Sequence, residues 1–223
     1  MRLSVKGIIT KIGEARFSYL FFSILLLFLL RPFVEERIAL RVITDIFIWS
    51  ILISCGWAVH DKRSQQVIFL CIIILAVVAN LLDLFLDNRA TDWASNIVGV
   101  IVFAYVVTVI FIYLIRQEEV TADMIMAAAS EYILIGIMFS FIYLLIESVH
   151  PGSFNVAHRK LDRGTFLYFS FVTLTTTGYG DILPVSLKAR SFATFEQITG
   201  QLYMALTVAR LVGLYAVSKK RGK

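Results

Sequence analysis

The chain has 223 residues, 59% of them hydrophobic and 17% charged, against about 45–50% and about 25% in soluble domains, which excludes an ordinary soluble enzyme. Three prolines and twelve glycines are too few for a Pro-rich or collagen-like chain, and so apolar a sequence is not disordered. The formal net charge of +5 does not mark a nucleic-acid binder, because Arg2, Lys6, Lys11 and Arg16 gather at one end and Lys219, Lys220, Arg221 and Lys223 at the other, the pattern of cytoplasmic flanks in a membrane protein.

At about 20 residues per helical crossing, the apolar runs predict spans at Phe17–Leu30, Ile38–Val59, Val67–Leu86, Ala94–Ile115, Met124–Ile146 and Phe192–Val217. The first is short and follows a basic stretch, as a signal peptide would. No small-residue cleavage site follows it, and the chain continues Arg31-Pro32-Phe33, so it reads as a retained span lengthened by Phe33 and by snorkelling of Arg31. Six crossings place both termini on one side, and the basic ends make that side cytoplasmic; the Lys and Arg bias of the loops is weak by itself. Cys55 and Cys71 lie within apolar runs, which gives neither a disulfide framework nor a zinc cluster.

The connections are short except Glu147–Ser191, about 45 residues with an apolar stretch of its own, Phe166–Leu174. That stretch is too short to cross, and it leads into hydroxyls and alternating glycines, Thr175-Thr176-Thr177-Gly178-Tyr179-Gly180-Asp181. Thr165 is expected to cap about three helical turns through Leu174, after which Gly178 and Gly180 supply unusual backbone angles without steric cost. Irregular backbone at membrane depth survives only inside protein or along a watery path.

Here the sequence resembles the potassium channel family: Thr176-Thr177-Gly178-Tyr179-Gly180-Asp181 matches its filter signature, and the likeness covers Met124–Lys223 as span, half-helix, filter and span. The resemblance implies an all-α membrane protein with six transmembrane helices, a re-entrant pore helix, a selectivity-filter loop and a tetrameric pore. Residues 1–123 would form a peripheral four-helix domain and 124–223 the pore domain. Carbonyls of Thr176, Thr177, Gly178 and Tyr179, with the Thr176 hydroxyl, would replace the water shell of K⁺, Gly180 would complete the filter, and Tyr179 would pack outward as a spacer.

Further roles are implied by the same likeness. Thr175, Gln201, Met204 and Val208 would line the cavity below the filter, and Gly200, nineteen residues after Asp181, would stand at the inner-helix hinge, although a glycine there equally serves close packing. The sequence departs from the family where Thr177 replaces a usual valine, which leaves the carbonyl in place. It departs again where Tyr168, Phe169 and Val172 stand in for a tryptophan pair and a glutamate, so the bracing is altered; Tyr168 is expected to donate a hydrogen bond to Asp181 in support of the filter.

Six spans with the pore last also resemble the voltage-gated superfamily, but Ala94–Ile115 contains no arginine and is flanked only by Arg89 and Arg116. At about 2.3 kcal/mol per charge per 100 mV, it offers the field almost nothing to move. Asp45, Asp83 and Asp87 then read as an outer polar network, with Arg41 four residues before Asp45. Glu131 and Arg210 lie at matching depths, about seven residues or roughly 10 Å from the cytoplasmic side, as an ion pair or as two independently snorkelling charges. Glu196 is placed either to hydrogen-bond hydroxyls of the pore helix or to be solvated at the membrane interface. His60, His150 and His158 lack a metal-ligand spacing, and the basic Pro151–Arg163 segment reads as a solvated loop.

The sequence is thus expected to encode a homotetrameric potassium channel subunit of the plasma membrane, with both termini cytoplasmic, and not an enzyme. Its partners would be three further copies and membrane lipid, with no nucleic acid, no small-molecule substrate and no cofactor besides permeant K⁺. The competing readings are a weakly selective cation channel, a channel gated by voltage through residual charges, and a transporter-associated membrane subunit, the last disfavoured because the chain has one intact copy of the loop.

Overall fold

The computed structural model describes residues 16–30, 63–86, 88–156 and 161–221. The expected span Ile38–Val59 with Asp45, the residues Arg41, His60, Asp87 and His158, and the side chain of Asp83 lie outside the described residues. The fold is mostly helical: α1 (Arg16–Leu30), α2 (Arg63–Leu86), α3 (Arg89–Arg116), α4 (Ala122–Val149), α5 (Arg163–Leu174) and α6 (Leu187–Arg221). One feature is absent from an all-α expectation. Strands β1 (Phe154–Val156) and β2 (Ile182–Pro184) pair antiparallel on either side of α5 in sequence, with Asn155 opposite Leu183.

Among the described residues, three helices are long and apolar enough to cross a membrane: α3, α4, and Leu187–Ser218 of α6. Phe17–Leu26 and Leu70–Ala79 are shorter apolar helical stretches. The last helix begins five residues before the apolar run does, at Leu187 rather than Phe192. Its start is fixed by a cap and not by hydropathy: Ser186 Oγ accepts from Ala189 N at 3.1 Å, satisfying one of the orphan donors of a first turn.

The described residues form two compact units. In the first, comprising 16–30, 63–69, 108–133 and 214–221, Asp123 Oδ1 accepts from the backbone N–H groups of Phe17 at 2.9 Å and Ser18 at 3.4 Å. A first-turn acid of α4 thereby caps α1, and the Phe17 ring packs on Tyr113 with centroids 4.8 Å apart. Thr121 Oγ1 in turn caps α4 through Met124 N at 3.1 Å.

The second unit comprises 70–86, 88–107, 134–156 and 161–213. Asn88 Oδ1 caps α3 through Ala90 N and Thr91 N, both at 3.0 Å. A Cβ at Gly99 would meet the Phe141 ring at 2.5 Å, and Phe103 stacks on that ring with centroids 5.5 Å apart, so the absence of a side chain lets α3 seat directly on α4. Arg163 Nη2 donates to Ser95 Oγ at 3.2 Å, joining the start of α5 to α3. Tyr143, Phe154, Phe166 and Phe169 form an edge-to-face cluster with centroids 4.9–5.6 Å apart, a geometry favoured by ring quadrupoles. This cluster holds α5 against α4 and β1.

α5 is capped by Asp162, not by Thr165: Asp162 Oδ1 accepts from Thr165 N at 2.8 Å and Thr165 Oγ1 at 3.0 Å. The carboxylate is the better acceptor, and Thr165 becomes the third helical residue. Phe169→Ala is expected to cost about 3–5 kcal/mol as a buried aromatic deletion, and Asp162→Ala about 1 kcal/mol as a lost cap. Thermal unfolding of the detergent-solubilised chain checks the order, which should be Phe169→Ala well below Asp162→Ala.

Candidate functional site

The backbone where α5 stops is the chemical centre of the second unit. Thr177 N donates to Val172 O and Thr176 N to Thr173 O, both at 2.9 Å. This pair of bonds closes a helix through a left-handed residue, and Thr176 accordingly takes φ +57°. Glycine usually fills that position; a β-branched side chain there costs about 1–2 kcal/mol. Gly178 and Gly180 follow at φ +60° and +80°, so every second residue from 176 to 180 is left-handed. A Cβ at either glycine would meet nothing within 4 Å, so the angle, not space, calls for glycine.

The backbone N–H groups of residues 175–178 are all spent on the helix end. Thr175 N bonds Phe171 O at 3.0 Å, and Gly178 N reaches Val172 O at 3.4 Å. Thr175 Oγ1 also donates to Phe171 O at 2.6 Å and so accepts from Thr177 Oγ1 at 2.8 Å. Among the described residues, the carbonyls of Thr176, Thr177, Gly178, Tyr179 and Gly180 accept no hydrogen bond. A row of backbone oxygens without donors is uncommon in a folded chain. Chemically it is a set of hard oxygen ligands of the kind that dehydrated cations accept.

Around this row the structure brings some expected residues together. Gln201 Nε2 reaches Thr176 Oγ1 at 3.4 Å, and Thr175, Gln201, Met204 and Val208 are all exposed. The Tyr168 ring lies parallel to that of Tyr179, centroids 6.4 Å apart and interplanar angle 3°. Asp181 is exposed and precedes β2. Gly200 abuts the end of α5, where a Cβ would stand 2.4 Å from Leu174 O, and α6 runs through it unbroken. Close packing is thus a requirement at Gly200, independent of any bending there. Glu131 is buried in the first unit and Arg210 belongs to the second; both take part in interactions.

Other contacts go beyond the sequence reading. Glu196 is fully buried and meets Ser170 Oγ of α5 and Tyr143 OH of α4. Ser170 is a hydroxyl of the half-helix, as expected of a Glu196 partner, but nothing in the sequence selects Tyr143. Glu147 closes the turn before β1, with Oε1 accepting from Gly152 N at 2.8 Å and Oε2 from Phe154 N at 3.2 Å. The cap Asp162 was findable, since an acid three residues before a threonine at a helix start is a local signature.

Residues 131–216 match the model of a family described as ion channel. Over 81 residues, 36% of this chain, the sequence is 36% identical to the calcium-activated potassium channel slowpoke of Drosophila melanogaster, of which that covers 7%. It is 30% identical over 82 residues to the inward rectifier potassium channel Kirbac3.1 of Paramagnetospirillum magnetotacticum, covering 35% of this chain and 25% of that one. It is 28% identical over 144 residues to the voltage-gated potassium channel Kch of Escherichia coli, covering 62% and 32%. These matches support a potassium channel family. The chain spans between 7% and 32% of the length of these relatives, and no solved structure matches it. The ion channel match and the apolar helices together support an integral membrane protein.

The two glycines of α6 make a contrast. Gly200→Ala should destabilise the solubilised protein by about 1–3 kcal/mol, because the new methyl displaces Leu174 O. Gly213→Ala, with nothing within 4 Å of its Cβ, should be neutral or stabilising by about 0.5–1 kcal/mol through helix propensity. Equal melting temperatures would contradict the close contact.

Proposed function

We propose that the chain is the subunit of a homotetrameric potassium channel of the plasma membrane, with six crossings and both termini cytoplasmic. In this reading α5 is a re-entrant pore helix, residues 176–180 are the selectivity filter, and α4 and α6 are the outer and inner helices. The observation that carries it is the row of donor-free carbonyls from Thr176 to Tyr179 beside a half-length helix. Alternating left-handed residues favour carbonyls turned toward one axis, where their dipoles replace the hydration shell of K⁺. The negative C-terminal end of α5 favours a cation. Three relatives named as potassium channels support K⁺ as the ion.

One chain supplies one wall of such a cage. Half of the apolar stretch of α4 is buried within the chain but only 6% of that of α6, which leaves α6 surface for neighbouring copies, a cavity and lipid. Tyr168, stacked on Tyr179, and Asp181 support the filter; Thr175, Gln201, Met204 and Val208 face the cavity. Gly200 serves as the pivot of the inner helix as well as its seat on α5. The reading includes no catalysis and no cofactor other than permeant K⁺. The interior of α3 carries no arginine, so steep voltage gating is not part of it.

The test is the purified chain in liposomes and planar bilayers. Flux should follow the K⁺ gradient with the reversal potential near that of K⁺ in mixed K⁺ and Na⁺; equal sodium flux would replace this reading with a weakly selective cation channel. A steep dependence of open probability on voltage would restore a voltage-gated one. Gly178→Ala and Gly152→Ala pay a similar backbone cost of about 1–2 kcal/mol, since both replace a left-handed glycine in open space. Only Gly178→Ala should abolish K⁺ flux, while Gly152→Ala, in the turn before β1, should conduct.

A further inference from the structure

Glu196 is 0% exposed, and its two carboxyl oxygens are held by hydroxyls from two different helices. Tyr143 OH of α4 bonds Oε2, and Ser170 Oγ of α5 lies 2.5 Å from Oε1. Ser170 Oγ is also 2.6 Å from Gly136 O of α4. Three oxygen-to-oxygen contacts require three protons if each is a hydrogen bond. Tyr143 and Ser170 bring one each, and the carboxyl brings the third. Glu196 Oε1 then donates to Ser170 Oγ, Ser170 donates to Gly136 O, and Tyr143 donates to Glu196 Oε2. A glutamine side chain offers the same set, its amide N–H donating to Ser170 and its oxygen accepting from Tyr143.

A buried polar network satisfied in a single arrangement fixes relative position in a way that apolar contacts, which can slide, do not. The three helices it ties are those that carry the site. Four residues further along α6, Gly200 rests on Leu174 O, the last residue of α5. One stretch of α6 therefore holds α5 at two points, Ser170 and Leu174. The segment 175–178 hangs from the same helix end by its N–H groups, so a displacement of α5 moves the carbonyl row with it.

We propose that Glu196 is a positioning residue for the ion path: through Ser170 and Tyr143 it makes the stance of α6 set the position of α5 and so the alignment of the Thr176–Tyr179 carbonyls. This rests on the conduction reading above and assigns it a residue outside the filter and cavity.

The test uses the full chain and the variants Glu196→Gln, Glu196→Ala, Ser170→Ala and Tyr143→Phe, each reconstituted and checked for assembly by chemical cross-linking. The readouts are mean open time in symmetrical K⁺ and the K⁺/Na⁺ permeability ratio, which a role in assembly alone would leave unchanged in the assembled fraction. Glu196→Ala and Ser170→Ala should shorten openings about tenfold, the effect of about 1.4 kcal/mol. Glu196→Gln should stay within about twofold of wild type, and the double variant Ser170→Ala with Glu196→Ala should be no worse than Glu196→Ala alone, as expected of one shared network. Wild-type open times and permeability ratios in Glu196→Ala and Ser170→Ala overturn the proposal, as does a glutamine variant as impaired as the alanine one. If Glu196→Ala fails to assemble, Ser170→Ala decides: shortened openings support the positioning role and wild-type openings overturn it. A wild-type chain that passes no K⁺ would instead defeat the conduction reading, which keeps the two failures apart.

Discussion

A helix that ends partway has to dispose of its last carbonyls, and here that obligation shapes everything nearby. The final turn of α5 takes the N–H groups of residues 175–178, which are the donors a following strand would use in its own pairing. With those donors turned inward, the next carbonyls have no partner in the segment itself. In water such a row would simply hydrate. In the conduction reading the row lies at membrane depth, where unsatisfied backbone costs several kcal/mol per group unless it is buried in protein or lines water, so in that reading the same bonds that end the helix create a demand for a ligand. The strained Thr176, left-handed where glycine is customary, is the local sign that the closure is imposed by this geometry, since strain of this kind persists only where its surroundings over-determine it.

The surrounding contacts keep that helix end from drifting. At its start α5 is fixed by the Asp162 cap and by Arg163 on Ser95. Along its length the edge-to-face aromatic cluster and the Ser170 network hold one side. At its end Gly200 admits the backbone of Leu174, and Gly136 admits Phe171, whose ring would lie 3.0 Å from a Cβ there. Beyond the carbonyl row, β2 pairs with β1, and Ser153 O accepts from Val185 N at 2.8 Å and Ser186 N at 3.2 Å. The irregular segment is therefore tethered on both flanks, a condition for holding oxygens at fixed separations.

What could be read beforehand followed from how local each signal is. The half-length apolar run before Thr175 and the alternating glycines are patterns within a few residues, and the structure has a twelve-residue helix and left-handed glycines there. Hydropathy found the body of α6 but not its start, because Leu187–Ser191 is polar and its helical state is set by the Ser186 cap. Thr165 was a plausible cap until the stronger acceptor three residues earlier is considered. The short sheet and the partnership of Tyr143 with Glu196 left no trace, since they join residues 26 or more positions apart through tertiary contact. Glycines 99, 136 and 200 look alike in sequence; what each admits depends on a neighbour that only the folded chain supplies.

The charge-poor α3 makes sense in the same terms. Its interior holds no arginine, and its part in the second unit meets the other helices there through packing. The contacts for that are present in the second unit: Gly99 against Phe141, Phe103 stacked on the same ring, and Ser95 on Arg163 at the first turn of α5. Phe141 lies on α4 two residues before Tyr143, which bonds Glu196. Packed interiors respond to displacement by switching between discrete arrangements more readily than by bending, so a shift of α3 at Gly99 would be felt at Tyr143, and through Glu196 and Ser170 at the helix end that positions the carbonyl row.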